Sequence, residues 1–272
     1  MKILAIIEHT FREGLARKTI IGFFVISSFF LAIALLAAVF MPSSIEVGGG
    51  EAGSQTVEVM SDVTVVRQIQ AFLTGFINFA ALVLSIFATA SILPNTMEKG
   101  SIDLLLSKPV SRNEIFLGKW LGSMLIVLVN IAYYIIGMWL IFGVRTGFWN
   151  PGFLGTILTI GYTFLVLYAP MMLIGVSSRS SALTIIVLYV FYFLVSPILE
   201  ARDIIAQVAS TPAIADVLSV FYYILPRPDA MAKFTNALVT VSALDWSPVW
   251  TSGLSAIVMY FFAAWLFRRK DF

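Results

Sequence analysis

The chain has 272 residues, 60% of them hydrophobic and 12% charged, with a formal net charge of +2 and a mean hydropathy of +0.96. A soluble domain carries about 25% charged residues, so there is too little charge here to clothe a water-facing surface. The long uncharged runs match lipid as solvent. Cysteine is absent, which removes disulfides, thiolate metal sites and cysteine nucleophiles. One histidine, His9, argues against a transition-metal site, and the basic residues are too few and scattered for nucleic acid.

In chain order, residues 1–18 alternate apolar and charged side chains. At helical spacing Ile3, Ile6, Ile7, Phe11 and Leu15 share one face, while Glu8, Arg12, Glu13 and Arg17 crowd another. That pattern predicts an amphipathic helix lying in the membrane interface. Two readings stand: a passive anchor or a mechanical part. The first apolar run, 20–41, exceeds a signal-peptide core in length and reads as a retained helix. The loop after it holds Gly48, Gly49 and Gly50 among Glu46, Glu51, Glu58 and Asp62, a flexible, solvated composition.

Further spans are expected at 72–93, 117–144, 153–176, 180–199 and 246–267. Each approaches or exceeds the ~20 helical residues that cross a hydrocarbon core. The runs are continuously apolar, which favours helices over barrel strands. The segment 94–116 opens on Pro94, taken as the end of the preceding helix, and continues with Ser101 as N-cap of a short helix stopped by Pro109. Ser111 and Glu114 then form a capping box for the next helix. Leu104, Leu105 and Leu106 give this knuckle an apolar side that fits a protein partner, or that dips into lipid. The segment 200–245 is long, half apolar and rich in proline, with short helices expected at 204–208 and 214–223 on the outer face.

Orientation follows lysine and arginine. Twelve basic residues fall on the side of the N-terminus, the 94–116 loop and the C-terminus, against five on the other: Arg67, Arg145, Arg202, Arg227 and Lys233. Six spans with both termini cytoplasmic are expected. Asn78 and Asn130 fall at similar depth in the second and third spans, as an interhelical polar pair or as part of a substrate path. Gly118 and Gly122 form a GxxxG close-packing signal, and Pro170 should kink the fourth span. No ionisable side chain lies near the centre of a predicted span, which counts against proton-coupled transport.

The run Met97 to Gly122, MEKGSIDLLLSKPVSRNEIFLGKWLG, resembles the cytoplasmic knuckle of the ABC-2 type permeases, membrane subunits of ATP-binding-cassette transporters. The N-terminal EHTFREGLARK is similar to the elbow helix of that family, and ILPRPD and FRRKDF to its closing segments. The resemblance implies an all-α integral membrane protein in a prokaryotic-type plasma membrane. It also implies six spans, an elbow helix, a coupling helix between spans two and three, and short outer helices before span six. It implies that Glu98, Gly100, Ser101, Asp103, Leu104, Leu105, Leu106 and Arg112 make or shape the contact with an ABC ATP-binding subunit. No GxxxxGK[ST] phosphate loop is present, so ATP and Mg would be bound by that partner and this chain would hold no cofactor and no catalytic residue. A second permease copy or a sister permease completes the implied assembly, and export is the implied direction. Rival classes are a non-transporting relative aiding maturation or sensing and a secondary transporter. The latter should show an inverted repeat, and the two halves carry no convincing one.

Overall fold

A computed structural model of the chain describes residues 2–16, 18–40, 62–97, 110–209 and 212–270. Among these the regular structure is helical, without a strand. Helix α1 spans Lys2–Ala16 and α2 Lys18–Phe40. Helix α3, Asp62–Thr89, is followed after a break by the short α4, Ile92–Thr96. Helix α5 is Arg112–Thr146 and α6 is Pro151–Ser178. Next come α7 (Ser181–Val190), a π turn (Phe191–Val195) and α8 (Ser196–Glu200). Then follow α9 (Arg202–Ala209), α10 (Pro212–Ile224) and α11 (Pro228–Thr240), and α12 is Ser247–Arg269.

Among the described residues five stretches are long and apolar enough to cross a membrane: Arg67–Thr96, Arg112–Thr146, Pro151–Ser178, Ser181–Glu200 and Ser247–Arg269. Helix α2 carries a shorter apolar run, Ile20–Leu36. The chain is a multi-pass, all-α membrane protein.

Local chemistry explains the helix ends. Ser111 Oγ accepts the amide of Glu114, and the Glu114 carboxylate accepts the amide of Ser111 at 2.7 Å, so the capping box forms as the sequence predicts. Gly147 closes α5 at φ 71°, a left-handed conformation that costs glycine nothing. Asn150 caps α6 through Gly152 N, with Pro151 in the first turn, where its missing N–H is no loss.

Helix α6 is the centre of the bundle, packed against α12, α11, α5, α7 and α3. Its Phe153, Ile160, Phe164 and Leu167 are wholly buried. The outward faces of α2, α7 and α12 expose large apolar side chains such as Phe29, Ile186 and Phe261. In water that would be a liability; against acyl chains it is the ordinary boundary.

Several expectations need adjustment. Helix α3 begins at Asp62 and runs ahead of the span expected at 72–93; it gives way to a turn at Ala90–Ser91, so Pro94 sits inside α4 and does not end the preceding helix. The apolar stretch Ser181–Glu200 is not uniform α-helix but contains the π turn, with Pro197 two residues beyond it. Short helices are present at Arg202–Ala209 and Pro212–Ile224, but α11 was not anticipated. It does not rest on an outer surface: it inserts against α6 and α3, burying Met231, Phe234, Thr235 and Val239.

Candidate functional site

The structure builds one tightly tied junction where α5 begins. Gly118 and Gly122, one turn apart, receive α1. A Cβ on Gly118 would stand 2.5 Å from Ile6, and one on Gly122 2.7 Å from Thr10. The GxxxG is therefore a seat for the first helix, whose Ile6 and Thr10 are buried. Between the two glycines Lys119 is buried, and its Nζ meets the Glu13 carboxylate of α1 at 2.6 Å. His9 stands 3.9 Å from the same carboxylate, and Glu8 pairs with Arg12 on the exposed face at 2.6 Å.

The end of α12 joins the same region. Arg112 Nη1 donates to the carbonyl oxygens of Arg268 at 2.9 Å and Lys270 at 2.7 Å. These are carbonyls that a helix C-terminus leaves without internal partners. Lys270 Nζ donates in turn to the carbonyls of Val176 and Ser177 at the end of α6. Burial, and then the like charge of Arg179, pull the Lys270 pKa below its ordinary value. The Phe116 and Phe267 rings lie 5.7 Å apart, and Ser181 Oγ donates to Asn95 Oδ1 at 3.3 Å, linking α7 to α4. The result ties together both flanks of the predicted knuckle: α4 on one side and the start of α5 on the other.

Of the sequence-predicted contact residues, Arg112 is in this junction, clasping the end of α12. Glu98, Gly100, Ser101, Asp103, Leu104, Leu105 and Leu106 lie outside the described residues. The two asparagines are both buried, but no hydrogen bond joins them. Asn130 Oδ1 instead accepts from Ser27 Oγ of α2 at 2.9 Å, leaving Asn130 Nδ2 and Asn78 Oδ1 without partners. The Glu13–Lys119 pair was missed by sequence reading; its only signal was a lysine between two glycines of a close-packing motif.

A second polar cluster joins α8 to α11. Ser196 Oγ donates to Asp229, and Lys233 pairs with Glu200. Burial, reinforced by nearby Glu200, raises the Asp229 pKa, against the opposing pull of the Ser196 bond and Lys233. Arg202 lies over the Tyr222 ring at 3.8 Å and buried Arg227 lies over it at 4.6 Å. An apolar cleft of about 480 Å³ opens between α2, α3 and α5, lined among others by Phe30, Phe72, Phe76, Tyr134 and Met138. This arrangement can move helices as a linked set and offers apolar surface, but the described residues contain no cluster that could hold a metal ion.

A comparison with curated proteins finds no match. The model of the family described as ABC-2 family transporter protein matches residues 4–272. That match takes in the α1 seat, the knuckle and the tied end of α12 together, and on it the chain belongs to the ABC-2 family of transporter permeases.

Proposed function

We propose that this permease forms the translocation path of an ABC exporter, in which a separate ATP-binding subunit engages the knuckle at 94–116. Six spans, with α2 as the first, put both termini in the cytoplasm of a plasma membrane. Helix α1 serves as the elbow, and a second permease completes the pore. The observation that carries this reading is the junction at the start of α5. Arg112, Lys119 and the two glycines bind α5 to α12 and α1, and Asn95 links α4 to α7. A push on the knuckle is then delivered to several helices at once. Such a drive biases a two-state bundle only through contact energies that differ between its states.

The test is co-purification of the chain with its ATP-binding subunit, comparing wild type with a Leu104→Ser, Leu105→Ser, Leu106→Ser triple variant. The proposal expects stable association that the variant loses, together with loss of ATP-driven transport. Undiminished assembly and transport in the triple variant would overturn the assigned coupling surface, and a wild-type chain that binds no ATPase would overturn the function.

A further inference from the structure

Arg67, Gln70, Thr74, Asn78, Ser85 and Thr89 of α3 fall within an arc of about 100° at 3.6 residues per turn. They make one polar stripe from the outer end of α3 almost to its break. The stripe faces inward: exposures are 1% for Gln70, 3% for Asn78 and 0% for Ser85, and α3 packs on α6 and α11.

Part of the stripe is satisfied in the ordinary way. Thr74 and Thr89 donate to carbonyls one turn back at 2.7 and 2.6 Å, and Gln70 Oε1 accepts from Asn150 Nδ2 at 2.9 Å. The remainder is not. Arg67 Nε, Gln70 Nε2, Asn78 Oδ1 and Ser85 Oγ are buried without a hydrogen-bond partner, as is Asn236 Oδ1 of α11. Asn236 belongs to the same seam, since its Nδ2 lies 3.9 Å from where a Cβ on Gly75 would stand.

Buried polar atoms are nearly always paired, and each orphan carries the full desolvation cost of its group. Five along one seam need a common explanation. Donors (Arg67, Gln70) and acceptors (Asn78, Asn236) are both present, with a hydroxyl that serves either way. Gln70, Thr74 and Asn78 rise by about 6 Å per step, a gap that one water spans with a bond of about 2.8 Å on each side. The stripe has no carboxylate, so it matches water and not a cation.

We propose that this face of α3 is hydrated, holding a file of water molecules between α3, α6 and α11. The file is a polar route inside a single chain, distinct from the apolar cleft on the far side of α3. It also gives α3 a wet face that can exchange hydrogen-bond partners when the helix shifts.

The chain has no cysteine, so a single introduced thiol gives an infrared S–H band with no background. Thr74→Cys and Ser85→Cys place a thiol on the stripe; Ile77→Cys, Leu82→Cys and Ile86→Cys place one off it among equally buried positions. Each variant in lipid nanodiscs is transferred to heavy water, and conversion of S–H to S–D is followed. The two stripe thiols should exchange at least tenfold faster than the three neighbours. Equal rates overturn the proposal either way: uniformly slow exchange means a dry seam, and uniformly fast exchange means no distinct file. Ser85→Cys is nearly isosteric, which keeps the comparison valid if the Thr74 variant folds poorly.

Discussion

Removing Glu13 should damage the protein more than removing Lys119, although the two form one ion pair. Lys119 is 3% exposed and Glu13 33%, with 2.6 Å between them. In Glu13→Ala the ammonium stays buried with its counter-charge gone. Breaking a fully buried pair costs about 3–5 kcal/mol, and solvent access on the Glu13 side brings the expected loss to about 3 kcal/mol. In Lys119→Met the carboxylate left behind can hydrate and the methionine fills most of the vacated volume, so about 1 kcal/mol is expected. The double variant Glu13→Leu, Lys119→Met leaves no buried charge and should recover to within about 1 kcal/mol of wild type. Tryptophan-monitored thermal unfolding in lipid nanodiscs reads these as melting shifts, at roughly 2–4 °C per kcal/mol for a chain of this size. If Glu13→Ala costs no more than Lys119→Met, or if the double variant loses the sum of the two, the pair is not a coupled buried unit.

Gly118→Leu should drive α1 off its seat against Ile6, with an overpacking cost of about 1–3 kcal/mol; faster tryptic cleavage at Arg12 would report it. Arg112→Leu should remove the two bonds to the end of α12 and raise amide exchange around Arg268–Lys270 several-fold, while leaving the Ser111–Glu114 capping box protected. Asp229 has a folded-state pKa raised above its ordinary 3.8, so its stabilising contribution is complete below that value and is lost as pH rises through the folded pKa. Asp229→Asn should therefore flatten the pH dependence of melting and gain most at about pH 7 relative to about pH 4.

Much of the bundle was legible because lipid allows few backbone solutions, and long charge-free runs such as that in α6 have only the helix open to them. The capping box was legible because Ser111 and Glu114 act over three residues. What sequence could not carry was choice of partner. Asn130 was placed at the depth of Asn78, yet its Oδ1 accepts from the Ser27 hydroxyl of α2, and nothing in local spacing ranks the two partners. The GxxxG announced a close approach without naming the helix that makes it. Helix α11 escaped because PDAMAKFTNALVT mixes polar and apolar residues as a surface helix does. Its buried face combines Met231, Phe234 and Val239 with Thr235, set among helices that include α6 and α3.

The π turn at Phe191–Val195 spends one more residue on a turn than an α-helix would. Every residue beyond it is therefore rotated relative to α7 by an angle that no side chain dictates. Ser196 reaches Asp229 only in that rotated phase. Winding the same five residues as α-helix would swing Ser196 and Glu200 by up to about 100° away from α11, whereas deleting one residue would heal the helix and leave them close to their present phase. The register of the Ser196–Asp229 cluster is thus held by the wide turn, and a change that lets Phe191–Val195 wind as α-helix threatens it more than the loss of one residue from the turn does.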